Sequence, residues 1–210
     1  DVADKMAEIF KSVYSLGDQQ RSAIYSAVLN GLKSHGEGMS FVQMVEELES
    51  IGTSYAKSVI SKIQAFTDYN LFTGDEAFNW ADIRDSEGTV YIIQMAGYGR
   101  EIQVLLTEIL LWDIWSFCVK NGDETKPFVL VLDEAQNLSH GEKSPSAKIL
   151  TEGRKFGISG WYATQFMKPQ LSDDEIQRLQ QAGQKLYFCP PDDGIMTVAK
   201  NIDITPAGAR

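Results

Sequence analysis

The sequence predicts an α/β protein in which helices cover a parallel β-sheet. In its carboxyl-terminal part, segments of strand composition alternate with helical segments. Such alternation favours parallel strands, because a crossover between them is long enough to contain a helix. A wholly helical region precedes the first of these strands and ends in polar turn residues. We therefore place a helical subdomain at 1–75 and the sheet-containing unit at 76–210.

Four helices are predicted within residues 1–68. Apolar residues recur there at helical spacing, which gives each helix a side that faces a core. The four groups are Met6, Ile9, Phe10 and Val13; Ile24, Val28 and Leu32; Phe41, Met44, Val45 and Leu48; and Tyr55, Val59, Ile60, Ile63 and Phe66. Turn residues separate the helices at 16–18, 34–38 and 50–54. Ser40 is the expected amino-terminal cap of the third helix.

Four strands and three helices are predicted in the second unit. The strands are rich in β-branched, aromatic or aliphatic residues and lie at 89–94, 128–132, 161–164 and 185–189. The helices are expected at 100–119, from the Ser144-Pro145 pair towards Gly157, and at 173–182. The helix over 100–119 is apolar on nearly every side, so we expect other elements of the protein to cover it.

Composition narrows the classes of function. The net charge of −10 argues against a broad basic surface for nucleic acid. The interpretation of 41–72 as a DNA-reading winged helix is weakened because 44–49 is acidic and only Lys57 and Lys62 follow as basic residues.

No uninterrupted apolar stretch reaches the roughly 18 residues that span a membrane, so we expect no membrane contact. The two cysteines fit neither a metal pattern nor a disulfide framework, and from this we expect a cytoplasmic protein. Cys118 and Cys189 are expected to be reduced thiols, and His35 and His140 to be exposed loop residues.

Two adjacent carboxylates follow the most apolar strand. The segment FVLVLDEAQNL runs from Phe128 to Leu138 and places Asp133 and Glu134 directly after the strand. In an open parallel sheet, ligands bind beyond the carboxyl ends of the strands. Asp133 could hold a magnesium ion through its water shell, and Glu134 could act as a base on an attacking water. The simpler interpretation is a capping Asp followed by a solvated Glu.

Two further features favour a catalytic edge. Gln165 follows the strand at 161–164, so its amide should reach the edge that carries Glu134, where it could orient a water or sense a γ-phosphate. Arg154 lies near the end of the preceding helix and could stabilise a phosphoryl-transfer transition state, including one in a neighbouring subunit. A basic residue at a helix end is also a common favourable interaction with the helix dipole.

The segments LVLDEAQNL and ILTEGRKFGISGWYATQ resemble the Walker B and following regions of the HerA/FtsK superfamily of hexameric P-loop ATPases. The resemblance covers about 89–200, and is closest to the HerA-like branch. It implies a RecA-like core, ATP and Mg²⁺ as cofactors, and movement of DNA through a homo-hexameric ring. By position, Asp133 corresponds to the magnesium-side acid, Glu134 to the catalytic Glu, Gln165 to the sensor and Arg154 to the arginine finger.

The same region, DEAQNLSHGEKSPSAKILTEGRKFG, also resembles the HerA-like component of phosphorothioation-dependent DNA restriction systems. That likeness implies partner proteins of a DNA-restriction or DNA-processing system. Residues 1–68 would correspond to the helical insertion of the family. Lys155 and Lys168 are the candidate contacts to DNA within a ring.

The phosphate-binding loop of such an ATPase is absent from the sequence. Gly-x-x-x-x-Gly-Lys-Ser/Thr occurs nowhere in the 210 residues, and the run GEKS at 141–144 lacks both the Gly-Lys pair and the upstream glycine. The first residue is Asp1 rather than Met, so we expect the P-loop to lie in an amino-terminal part outside this chain. The chain alone is therefore expected to be inactive.

Two alternatives remain open. One is an ATPase-like interaction or regulatory module that has lost turnover. The other is an NAD-type site, because AGYGR at 96–100 follows a predicted strand and opens a helix, although it has only two of the three glycines of a dinucleotide-binding loop.

Overall fold

A computed structural model describes residues 2–69, 71, 79–165, 171–188 and 195–201. It is an α/β fold with a two-stranded parallel sheet. The amino-terminal helices are α1 (Val2–Val13), α2 (Asp18–His35), α3 (Phe41–Ile51) and α4 (Ser54–Asp68). The four predicted helices and their breaks are thus confirmed. Ser40 caps α3 as expected, because its hydroxyl accepts a hydrogen bond from the Gln43 amide while the Gln43 side chain accepts one from the Ser40 amide.

An aromatic cluster holds the helical layer together. Phe10 of α1, Phe41 of α3 and Phe66 of α4 meet with ring centroids 4.7–6.3 Å apart, in tilted or edge-to-face arrangements. Phe10 and Phe66 are buried completely or nearly so. Three helices that are distant in sequence therefore share one core.

A long helix joins this layer to the sheet. After the short α5 (Trp80–Asp85), α6 runs over Arg100–Asn121. Its first half packs into the helical core through Ile102, Leu105 and Leu106, and its second half packs into the core beneath the sheet. By length and composition α6 could also cross a membrane, but core helices of soluble proteins pass the same test. Burial in two cores accounts for its apolar composition.

The sheet consists of β1 (Phe128–Leu132) and β2 (Ile158–Tyr162), paired in parallel with Phe128 opposite Ile158. The crossover contains α7 (Pro145–Glu152) and a 3₁₀ turn over Gly153–Phe156, and β2 begins three residues earlier than the predicted strand. The remaining described helices are α8 (Asp173–Leu179) and α9 (Ile195–Asn201). One face of the sheet packs on α6 and α7, whereas Val129, Val131 and Trp161 on the other face are each more than half exposed.

The predicted strands at 89–94 and 185–189 are corrected by the structure. Within the described residues neither segment pairs with another strand, and position 189 lies outside them. Their apolar side chains face solvent: Ile92 is 85% exposed and Phe188 is 86% exposed. Strand composition favours a pleated, half-buried surface, but a strand forms only where a neighbour satisfies its backbone groups.

The residue before β2 packs closely against the segment that leads into β1, and this contact gives a stability prediction. Gly157 has φ +67°, and its carbonyl oxygen accepts a hydrogen bond from Phe128 N at 2.7 Å. A Cβ added at Gly157 would lie only 2.5 Å from the Asp123 carbonyl oxygen. Gly157→Ala is therefore expected to lower the free energy of unfolding by roughly 1–3 kcal/mol. Urea denaturation should show this loss but little change for Gly183→Ala, because an added Cβ at Gly183 meets no atom within 4 Å. Equal losses for both variants would contradict the prediction.

Candidate functional site

The carboxyl ends of β1 and β2 form one continuous edge. Backbone pairing extends past the two strands: Ala163 N donates to Leu132 O, and Ala135 N donates to Ala163 O, both at 2.9 Å. This ladder places the residues that follow β1 beside the residues that follow β2. The carboxylates after β1 and the amide after β2 consequently lie at the same edge, as the sequence predicts.

Glu134 is held in place from two sides. Gln165 Nε2 donates to one carboxylate oxygen of Glu134, and Gln136 Nε2 donates to the other. The Glu134 backbone has φ 52° and ψ 37°, a left-handed conformation that is uncommon for residues other than glycine and Asn. Such conformations cost energy and persist where surrounding contacts fix them, often at functional sites. The Glu134 carboxylate thus has a defined orientation at the sheet edge.

Asp133 is exposed beside Glu134. Its Oδ1 accepts a hydrogen bond from Glu134 N at 2.9 Å, which orients the carboxylate along the same edge. Within the described residues, no group of three or more Asp, Glu, His or Cys side chains could hold a metal. Mg²⁺, however, usually keeps several waters and takes one or two carboxylates together with substrate phosphates. Asp133 fits that role, whereas a fully protein-built metal cage would not fit here.

Arg154 lies at the other end of the sheet. It belongs to the 3₁₀ turn before β2, and the five residues of β2 alone span roughly 16 Å. Its side chain is exposed and makes no hydrogen bond or ion pair with the described part of the chain. The structure therefore brings Glu134 and Gln165 together but not Arg154, so any role of Arg154 in hydrolysis would be at the site of another subunit.

Of the two candidate DNA contacts, Lys155 and Lys168, the structure describes only Lys155. Lys155 forms an ion pair with Glu152 and lies over the ring of Phe156, at 4.9 Å from the ring centroid. Lys168 lies outside the described residues.

His140 is a buried support of the site, and its prediction as an exposed loop residue is wrong. Its Nε2 donates to Ala135 O and its Nδ1 accepts from Ser146 Oγ, each at 2.7 Å. Burial lowers the pKa of His140, which keeps the imidazole neutral, as this pattern of donation and acceptance requires. The ring ties the turn after Glu134 to the start of α7. The polar run SHGEKS around it gives no sign of this burial.

Glu108 and Gln136 are further polar residues that sequence reasoning missed. Glu108 lies in α6, is 3% exposed, and accepts a hydrogen bond at 3.0 Å from Ser139 N. Burial raises its pKa to about 7. Gln136 is 7% exposed, and its Oε1 is buried without a hydrogen-bond partner in the part of the chain described. The sequence feature that could have indicated the burial of Glu108 is its position as an acidic residue on a largely apolar helix.

The two glycine-containing segments considered as phosphate- or dinucleotide-binding loops, GEKS and AGYGR, have structural roles. Ser144 of the GEKS run caps α7 by accepting a hydrogen bond from Ala147 N, so the run is a helix start after β1. In the AGYGR segment, Gly99 precedes the first residue of α6, and Arg100 Nη2 donates to Asn137 Oδ1. The residues before this segment form no strand, so the strand–turn–helix arrangement of a dinucleotide loop is not present in the described region.

The free thiol prediction is confirmed for Cys118, which is buried and unpaired. Burial raises its pKa to about 11, so it is a poor nucleophile at neutral pH. Cys189 lies outside the described residues.

Comparison with known proteins does not assign the chain. No protein-family model matches the sequence, and no curated protein matches it significantly.

Proposed function

We propose that this chain is the carboxyl-terminal part of a HerA-like, ATP-hydrolysing DNA translocase or helicase with a RecA-like core. The observation that carries the proposal is the arrangement of Glu134. This carboxylate follows an apolar parallel strand, has a left-handed backbone conformation, and accepts hydrogen bonds from the amides of Gln165 and Gln136. A carboxylate fixed in this way at the carboxyl edge of a parallel sheet is placed where ligands of such sheets bind.

Each residue at this edge has a distinct role in the proposal. Glu134 orients an attacking water and accepts its proton. Gln165 fixes the Glu134 carboxylate in the free protein, and its exposed amide also lies where a γ-phosphate could be sensed. Asp133 would hold Mg²⁺ through the metal's water shell, and the bound metal would supply positive charge against the phosphates. Gln136 orients the second carboxylate oxygen of Glu134 by donating a hydrogen bond to it.

The exposed apolar residues support a P-loop part outside these 210 residues. A two-stranded sheet is marginal on its own, and here one face leaves Val129, Val131 and Trp161 exposed. The segments that carry Ile92 and Phe188 have strand composition and are also exposed. Further strands, including one that leads into a P-loop, would cover this face and pair with these segments. The proposed partners are thus the protein's own P-loop part, further subunits of a homo-hexamer, DNA, and proteins of a restriction or processing system.

The second candidate is an ATPase-like module for interaction or regulation, without turnover in any context. It is favoured by the lack of a P-loop in the sequence and by the exposed sheet face, which could bind a partner instead. Reading the coding sequence upstream of Asp1 separates the two candidates. The motor predicts a strand followed there by Gly-x-x-x-x-Gly-Lys-Ser/Thr, and a complete upstream reading frame without that string would refute the motor.

Arg154 offers a test of action between subunits. In the intact protein, Arg154→Ala is expected to reduce ATP hydrolysis by roughly 10³-fold or more, as loss of an arginine finger does. Mixing it with the equally inactive Glu134→Gln variant should restore part of the activity, because some interfaces then combine a normal Glu134 with a normal Arg154. Lys143→Ala, an exposed change outside this arrangement, should keep full activity. Full activity of the Arg154→Ala protein would remove the arginine from the proposal.

A further inference from the structure

The residue that follows Glu134 is held at both of its backbone groups. Ala135 N donates to Ala163 O at 2.9 Å, which continues the pairing of β1 with β2. Ala135 O accepts a hydrogen bond from His140 Nε2 at 2.7 Å and another from Leu138 N at 3.1 Å. Ala135 is buried, so these protein groups satisfy its backbone in place of bulk water. The chain therefore leaves the sheet edge in one defined direction after Glu134.

His140 is itself held by two helices. Its backbone N–H donates to Glu175 Oε1 at 3.0 Å, and its carbonyl oxygen accepts from Arg178 Nη1 at 3.2 Å, both on α8. Its ring Nδ1 accepts from Ser146 Oγ of α7 at 2.7 Å. Because the carbonyl oxygen of Ala135 can only accept, Nε2 must carry the ring proton. The completely buried ring thus presents its N–H donor to Ala135 in one orientation.

The left-handed conformation of Glu134 depends on such support. For a residue with a side chain, this conformation costs free energy of the same order as one buried hydrogen bond contributes. Glu134 O accepts from Asn137 N at 2.9 Å, so the 3₁₀ turn over 135–137 starts from Glu134 itself. Loss of the bond from His140 to Ala135 O would let this turn rearrange and would let Glu134 adopt a less costly backbone conformation. The carboxylate would then lose its two amide donors.

We infer that His140 is a positioning residue for Glu134: the hydrogen bond from its Nε2 to Ala135 O sets the left-handed turn and, through it, the direction of the carboxylate. The ring bonds only Ala135 and Ser146, so it acts on the carboxylate through the backbone. The catalytic consequence rests on the proposed role of Glu134 as general base. The backbone conformation of Glu134, in contrast, is measured without hydrolysis.

Two substitutions separate the donor from the rest of the ring. The Gln side chain is long enough to place an amide N–H near the position of Nε2, so His140→Gln retains a donor for Ala135 O. The shorter Asn side chain reaches the position of Nδ1, so His140→Asn retains an acceptor for Ser146 Oγ and loses the donor. Both remove the imidazole ring and are expected to lower stability. Gly157→Ala, at the other end of the sheet, is the control for a loss of stability alone.

The first measurement is NMR of the 210-residue chain. A strong intraresidue nuclear Overhauser effect between HN and Hα of Glu134 reports its positive φ. The wild type, His140→Gln and Gly157→Ala should show this signal, and His140→Asn should lose it together with the wild-type shift of the Gln165 side-chain amide. Retention of the signal in His140→Asn, or its loss in both His140 variants or in Gly157→Ala, would overturn the inference.

The wild type alone decides the question if the His140 variants do not fold. Proton–nitrogen NMR of the His140 ring at neutral pH should show a slowly exchanging proton on Nε2 and none on Nδ1, because burial keeps the ring neutral. A proton on Nδ1 alone would overturn the inference, since the ring would then offer no donor to Ala135 O.

The second measurement is ATP hydrolysis by the intact protein. His140→Asn should lower kcat by about tenfold or more and leave KM unchanged, because a displaced base weakens the reaction step and not binding. His140→Gln should stay within about threefold of the wild-type kcat. Unchanged kcat in His140→Asn, beside an inactive Glu134→Gln protein, would overturn the inference. If Glu134→Gln hydrolysed ATP normally, the proposed function would fail, and the NMR result would still decide the role of His140.

Discussion

Glu108→Gln is expected to raise the free energy of unfolding at pH 8 by roughly 3 kcal/mol, while leaving it nearly unchanged near pH 4. Glu108 lies on α6 with 3% of its surface exposed, and burial raises its pKa from 4.5 to about 7. Above that pKa the folded protein must keep a buried negative charge. A glutamine of the same shape could still accept the hydrogen bond from Ser139 N, so the substitution removes the charge and retains the contact.

The sign follows from the difference between the folded and unfolded states. Because the folded-state pKa is the higher one, protonated Glu108 contributes stability that is complete below pH 4.5 and is lost as the pH rises through about 7. Chemical denaturation of both proteins from pH 4 to pH 8 measures this difference directly. Glu142→Gln should give a curve parallel to that of the wild type. A Glu108→Gln curve that also runs parallel would contradict the predicted burial of charge.

The second large effect concerns Glu134 in the intact protein. Glu134→Gln is expected to reduce ATP hydrolysis by about 10²–10⁴-fold, because an amide cannot accept the proton of the attacking water. Nucleotide binding should persist, since in the proposed function the phosphates are bound by the P-loop and by Mg²⁺ near Asp133. Steady-state hydrolysis and equilibrium binding of a fluorescent ATP analogue separate the two quantities.

Two controls define this result. Glu142→Gln makes the same chemical change on an exposed loop residue and should hydrolyse ATP at the wild-type rate. Gln165→Leu removes the amide that orients Glu134 and should give an intermediate loss of rate. If Glu134→Gln retained more than about a tenth of the rate, Glu134 would not be the general base.

The helical layer and the main strand could be predicted because their signals are local. Apolar residues at helical spacing place α1 to α4 correctly, and the run FVLVL coincides with β1. The edge that joins Glu134 to Gln165 could be predicted as well, because parallel strands end on the same side of a sheet. In each case the sequence pattern and the packing require the same arrangement.

The errors arise where the outcome depends on distant partners. The segments at 89–94 and 185–188 have the composition of strands, but no strand in the described parts of the chain pairs with them, and most of their side chains are exposed. His140 lies in a polar run and is buried through contacts with Ala135 and Ser146. Glu108 and Ser139 are 31 positions apart, and no local periodicity indicates their hydrogen bond.

ATP hydrolysis measured side by side for the 210-residue chain and for the polypeptide that includes its upstream coding region tests the proposed function most directly. We expect no appreciable hydrolysis by the chain alone, and Mg²⁺-dependent hydrolysis by the longer polypeptide that Glu134→Gln abolishes. Robust hydrolysis by the chain alone, or none by the longer polypeptide under any condition with DNA present, would contradict the proposed function.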